Sequence, residues 1–152
     1  MLFLVEGPDG SGKTTFALQL SEMLNLEYTH FVAPKDQREA DNLFVSYHTF
    51  VRENRDKACV VDRLWPSAQV YGKVMRGKAE ITDLQADALE KALIGKGMII
   101  YCTGEPAVLW NRCKQRGEDY VTDYGQFVAI CHEYERVMNK LDHRIPIVER
   151  RV

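Results

Sequence analysis

Residues 7–14 read Gly-Pro-Asp-Gly-Ser-Gly-Lys-Thr and fill every fixed position of the pattern G-x-x-x-x-G-K-[ST]. Backbone N–H groups from Gly10 to Thr14 can surround a phosphate at a helix N-terminus, where glycines permit close approach and the helix dipole favours an anion. Gly7, Asp9, Gly10, Ser11, Gly12, Lys13, Thr14 and Thr15 are therefore the candidate nucleotide-binding residues. In this chemistry Lys13 reaches the β- and γ-phosphates of ATP, and the Thr14 hydroxyl sits on a Mg²⁺ ion that bridges their oxygens.

Two further groups of residues fit phosphoryl chemistry. Asp62 and Arg63 follow the apolar run Ala58-Cys59-Val60-Val61, and so fall just past the C-terminal end of a buried strand, where open parallel sheets bind ligands. Asp62 is placed to hold a water on Mg²⁺ or to orient the attacking group, and Arg63 to hold an anionic substrate bidentately. Arg112 and Arg116 stand four apart, on one face of a helix that Gly117 can end. A phosphoryl group in flight carries charge on three oxygens, and arginines on a closing lid at about 112–122 would stabilise it. Lys13 is the loop's single cation, so the remaining positive charge has to come from elsewhere.

The elements that must position these residues alternate. Short, nearly continuous apolar runs predict strands at 1–5, about 27–32, 58–61, 98–102 and 145–149, buried on both faces. Phe16, Leu20 and Leu24 mark an amphipathic helix after the loop. A second helix is predicted from about Asp36 to Glu53, with Leu43, Phe44, Tyr47, Phe50 and Val51 inward. A third starts at Thr82, with Gln85 completing its cap and Leu84, Ala88, Leu89, Ala92 and Leu93 inward. Pro106 opens a fourth, and Asp123 with Gln126 caps a last one carrying Phe127, Ile130, Cys131, Tyr134, Val137, Met138 and Leu141 inward. Alternating strands and helices imply right-handed crossovers and an α/β fold. Aromatics at helical spacing usually belong to a core, but among Phe44, Tyr47, Phe50 and Trp65 we keep Phe44 and Tyr47 as candidates for stacking on a base.

The run V-E-G-P-D-G-S-G-K-T-T, with D-R-L-W-P-S-A-Q-V-Y-G-K-V-M-R-G at 62–77, resembles the thymidylate kinase and deoxynucleoside kinase group of P-loop kinases. Their pattern after strand three is Asp-Arg-aromatic, then Ser, Tyr-Gln-Gly and Arg-Gly, and this chain presents Asp62, Arg63, Ser67, Tyr71, Gly72, Arg76 and Gly77. The resemblance implies a single P-loop kinase domain over 1–152, with a five-stranded parallel sheet, helices on both faces and a short lid. It implies transfer of the γ-phosphoryl group of Mg-ATP to a (deoxy)nucleoside monophosphate. Arg63 then binds the acceptor phosphate, Asp62 works near the metal, Arg76 contacts the acceptor nucleotide, and Ser67 and Tyr71 line its site. Asp142-His143-Arg144 lies where related kinases cradle adenine. The chain departs from the pattern at Leu64, where thymidylate kinases carry an aromatic residue, at Gly72, which replaces Gln, and at Ala33-Pro34-Lys35, which stands in for Arg-Glu-Pro-Gly. A deoxynucleoside kinase would need a carboxylate base near strand two, and Glu27 lies too far upstream. A P-loop switch would need neither lid arginines nor an acceptor site.

Composition sets the outer limits. With 152 residues there is room for one core, and 45% hydrophobic with 28% charged residues describes a globular chain. A net charge of -2 argues against a general nucleic-acid surface. Positive charge is nevertheless concentrated: residues 52–78 hold seven basic and three acidic side chains, which suits a small anionic ligand. No apolar run spans a bilayer, and Met1 leads into Leu2-Phe3-Leu4-Val5 without a basic leader, so a cytoplasmic protein is expected, with homodimerisation left open. Cys59, Cys102, Cys113 and Cys131 sit in apolar stretches and read as buried free thiols. The four histidines show no metal spacing and receive no role.

Overall fold

The computed structural model describes residues 1–152. Five strands, β1 (Leu2–Glu6), β2 (Glu27–His30), β3 (Cys59–Asp62), β4 (Gly97–Thr103) and β5 (Ile147–Arg151), form one parallel sheet in the order β2-β3-β1-β4-β5. Seven helices connect them: α1 (Lys13–Leu24), α2 (Gln37–Asp41), α3 (Leu43–Asn54), α4 (Trp65–Arg76), α5 (Asp83–Leu93), α6 (Pro106–Gln115) and α7 (Tyr124–Lys140). The expected α/β architecture is the observed one. The order places β1 between β3 and β4, paired Leu4↔Val61 on one side and Leu4↔Ile99 on the other. The loop after β1 therefore opens at the middle of the sheet's C-terminal edge. No helix is long and apolar enough to cross a membrane.

Burial follows this order. β3 is buried throughout, whereas β2 and β5 are the sheet edges and are largely exposed, contrary to the expectation that every strand is covered on both faces. The main core joins one sheet face to α3 through α7 around Leu4, Trp65, Leu89, Leu109, Phe127 and Ile130. A smaller cluster, Val5, Ala17, Val60, Ile100 and Cys102, joins the other face to α1.

Helix ends agree with the local chemistry. Thr82 and Gln85 form both bonds of a capping box at α5. Asp123 accepts the Gln126 N–H at 2.8 Å, so the forward half of the expected box at α7 is present. Pro106 opens α6 as expected.

Four helix expectations need correction. The helix expected over 36–53 is broken into α2 and α3 at Asn42, which leaves helical backbone angles and whose side-chain amide donates back to the Arg38 carbonyl. Leu84 points to solvent at 81% exposure, since at 100° per residue it lies well away from the buried line Ala86, Leu89, Glu90 and Leu93. Leu24 is exposed as well, and α1 packs through Ala17 with Phe16 and Leu20 half-buried. Finally, α4 has no counterpart among the expected helices, although it carries Ser67, Tyr71 and Arg76.

Candidate functional site

The phosphate-loop sequence forms the bend between β1 and α1, with Gly12 as the helix N-cap at φ 77°. Gly10 takes φ 80°, and a side chain there would also run into the Leu109 carbonyl of α6. Only glycine accepts both conditions. Ser11 is buried and its hydroxyl donates to the Pro8 carbonyl at 2.6 Å, which tightens the loop from within. Lys13 is buried with Nζ 3.7 Å from Asp9. Burial, then the nearby Arg63 charge, hold its pKa below the ordinary lysine value. Thr14 and Thr15 lie exposed on the first turn of α1.

Asp62 is fully buried at the end of β3, and one of its oxygens collects three contacts. Oδ2 accepts from Thr14 Oγ1 at 2.6 Å and Tyr28 Oη at 3.0 Å, and His30 Nδ1 lies 3.0 Å away. Burial pushes this carboxyl upward, but hydrogen bonding from Thr14, the Lys13 charge and Tyr28 together hold it below the ordinary aspartate value. Oδ1 is buried with no partner. A hydroxyl and a carboxylate that are in contact, with one carboxylate oxygen spare, are the hard oxygen donors that suit Mg²⁺. No cluster of three or more His, Cys, Asp or Glu side chains gathers anywhere, so such an ion would take its remaining ligands from phosphates and water.

Arg63 adopts φ 72°, a region that side-chain-bearing residues rarely occupy and that costs about 1–3 kcal/mol. Its backbone N–H donates to the Val5 carbonyl, and the side chain holds this conformation in place. Nη2 donates to Asp9 Oδ1 at 2.6 Å, Nη1 donates to Ser67 Oγ at 3.1 Å and Tyr134 Oη at 3.3 Å, and the guanidinium lies 5.0 Å above the Tyr71 ring. Tyr71 in turn accepts the Asp9 N–H at 3.3 Å. Beneath this layer Glu6 is wholly buried. It accepts from the Leu64 N–H at 2.7 Å, Ser67 Oγ at 2.5 Å and Tyr134 Oη at 3.4 Å, and burial raises its pKa. Ser67 thus belongs to the support of Arg63, its hydroxyl already engaged by Glu6, Arg63 and Tyr134.

Beside this layer opens a cavity of about 290 Å³. Arg63, Arg76 and Asp9 are among its polar lining residues, and Phe31, Pro34 and Tyr47 among its apolar ones. Arg76 pairs with Glu80 and donates to Tyr120 Oη at 3.1 Å, which ties the segment between α6 and α7 to α4. Gly72 is needed here because a side chain would meet the Lys78 carbonyl and the Ala79 backbone, each at 2.9 Å, where residues 78–80 fold back on α4. Of the aromatic candidates, Tyr47 lines the cavity, and Phe31, a further lining residue, packs against it at 5.3 Å between ring centres. Phe44 is not in the cavity wall and stacks on His48, while Trp65 is core.

The other side of the loop is basic. A methyl group placed on Gly12 would lie 3.6 Å from an Arg112 guanidinium nitrogen and 3.8 Å from one of Arg150. Arg116 follows α6 as its C-cap, exposed and not within 4 Å of that point. Asp142 is engaged by Arg144 rather than left open to a base. Glu6, Tyr134, His30 and Arg150 were all missed from the sequence. The periodicity of α7 placed Tyr134 in the core without revealing its polar role.

No family model matches the chain. YorR of Bacillus subtilis, an uncharacterized protein derived from the SPbeta prophage, is 28% identical over 141 residues, covering 91% of this chain and 82% of YorR. The crystal structure of YorR in complex with phosphorylated GDP superposes with a TM-score of 0.83 at 23% identity, over 99% of this chain and 85% of that one. Deoxyadenosine kinase from M. mycoides, with the products dCMP and dCDP bound, gives a TM-score of 0.65 at 14% identity over 99% and 90% of the two chains. Shikimate kinase from Acinetobacter baumannii gives 0.54 at 13% identity over 98% and 82%. The chain has the P-loop kinase fold.

Proposed function

We propose that this protein transfers the γ-phosphoryl group of Mg-ATP to a (deoxy)nucleoside monophosphate. One observation carries the reading: the cavity beside the phosphate loop is lined both by two arginines, Arg63 and Arg76, and by aromatic rings, Phe31, Tyr47, Tyr71 and Tyr120. An anionic head joined to a flat base suits a lining of that composition, and a phosphate acceptor is already ionised at pH 7. Arg63 fixes the acceptor phosphate, Arg76 contacts the acceptor nucleotide, and Tyr71 and Tyr47 shape its site. Lys13 and Arg112 meet the charge that develops on the transferred group, with Arg116 arriving as the lid at 112–122 closes. Thr14 and Asp62 would hold Mg²⁺, which when bound neutralises phosphate charge. The nucleotide complexes of YorR and of deoxyadenosine kinase support a nucleotide ligand on this fold.

A free nucleoside acceptor is the second reading. The His30–Asp62 pair favours it, because His30 lines the cavity and offers a polar group for a sugar hydroxyl at the end of β2. The test is ADP release from Mg-ATP with a panel of nucleoside monophosphates and free nucleosides. Turnover confined to monophosphates supports the first reading and identifies the base, whereas turnover on free nucleosides establishes the second. ATP binding without turnover on any member would contradict both and favour a nucleotide-binding switch.

A further inference from the structure

Two guanidinium groups, from Arg112 on α6 and Arg150 on β5, have nitrogens within 4 Å of a single point beside Gly12. Neither forms an ion pair with a carboxylate, and like charges brought together in this way call for an anion between them. The contrast with the next residue is sharp. Arg151 points to the opposite side of the edge strand and is neutralised twice, by Glu105 at 2.8 Å and Glu149 at 3.4 Å. Arg150, which pairs with Cys102 in the sheet register, turns toward α1, where its guanidinium lies 5.0 Å above the Phe16 ring. That aromatic face orients the group without using up its charge. Arg63 and the acceptor cavity lie on the β3 side of the loop, so Arg150 and Arg112 occupy the opposite side, facing β4 and β5. Lys13, the loop's own cation, already sits beside Asp9, and a triphosphate needs more positive charge than it supplies.

We propose that Arg150 is a donor-binding residue that, opposite Arg112, holds the polyphosphate chain of the nucleoside triphosphate. The assignment rests on the phosphate loop being the donor site, as in the preceding reading. It adds the last strand of the sheet to that site and makes donor affinity depend on a residue two positions from the end of the described chain.

The test is calorimetric titration of the full chain with Mg-ATP and, separately, with magnesium and inorganic tripolyphosphate. The proteins are the wild type, Arg150→Met, Arg150→Lys and Arg151→Met. Methionine keeps an unbranched stem against Phe16, and thermal melts of the unliganded proteins report whether the fold persists. Loss of a charge-assisted contact is expected to weaken both ligands about tenfold or more in Arg150→Met. Arg150→Lys should recover part of the loss, and Arg151→Met should bind as wild type. The unliganded Arg150→Met protein should melt within a few degrees of wild type, because loss of the cation–π contact with Phe16 is offset by relief of the repulsion from Arg112. Unchanged binding in Arg150→Met, or a loss confined to ATP while tripolyphosphate binds normally, would overturn the phosphate assignment. If the wild type binds neither ligand, the donor-site reading itself is wrong, an outcome separate from failure of the Arg150 assignment alone.

Discussion

Thr14 Oγ1 donates a 2.6 Å hydrogen bond to Asp62 Oδ2, fastening the first turn of α1 to the last residue of β3. The phosphate loop and the C-terminal end of β3 are thereby set against each other by a contact spanning 48 residues of sequence. Asp62→Ala removes the oxygen that Thr14, Tyr28 and His30 share. We expect kcat to fall by about 100-fold or more. Tyr28→Phe removes one donor only, and is expected to cost about 1 kcal/mol of stability and to keep kcat within about threefold of wild type. Steady-state kinetics and thermal unfolding of the two variants check this, and equal kinetic losses would contradict it.

Arg63 is held by Asp9, Ser67 and Tyr134 at the wall of the cavity. Arg63→Ala should raise the KM for the acceptor by about tenfold or more while leaving the KM for ATP within about threefold. Truncating a largely buried charge also destabilises the fold, by about 1–3 kcal/mol, so circular dichroism should first verify that the variant is folded at the assay temperature. A rise in the ATP KM instead would reverse the two phosphate sites.

Glu6 gives a pH signature. Burial raises its folded pKa above the ordinary 4.5, so the folded state binds the proton more tightly than the unfolded state. Its contribution is fully present below 4.5 and is lost as pH rises through the folded value. Glu6→Gln is neutral at every pH and keeps a carbonyl to accept the Leu64 N–H. The melting temperature of Glu6→Gln minus that of wild type should therefore grow as pH rises above 4.5. Parallel curves would show that Glu6 does not titrate between the two states.

Leu84 and Leu89 both look inward when the α5 segment is read as a sequence, yet one is 81% exposed and the other fully buried. Leu84→Ala should change stability by less than about 0.5 kcal/mol, and Leu89→Ala should cost about 2–5 kcal/mol. Denaturant unfolding separates them.

The contrast between these two leucines shows what sequence pattern carries. A capped start such as Thr82-x-x-Gln85 locates a helix, but one apolar residue near that start does not identify the buried face. The phosphate loop was legible because Gly10, Gly12, Lys13 and Thr14 are required within a few neighbouring positions. Asp62 and Arg63 were legible because a short apolar strand ends on them. α4 was not, because every residue from Trp65 to Gly72 except Gln69 is buried, so its exposed charges gather in the last turn, and Gly72 lowers helix propensity. Glu6, Ser67 and Tyr134 form one network only after folding brings together positions up to 128 residues apart. Arg150 reads in sequence as one more basic residue near the end of a strand, and it stands out only once Arg151 is seen to be neutralised beside it.

The most direct measurement of the central claim follows the label from [γ-³²P]ATP in the presence of magnesium and a nucleoside monophosphate, with wild type and Lys13→Met side by side. Label is expected on the nucleotide acceptor with wild type, and at less than about a tenth of that rate with the variant. Label released only as inorganic phosphate, or transferred equally well by Lys13→Met, would contradict phosphoryl transfer at this loop.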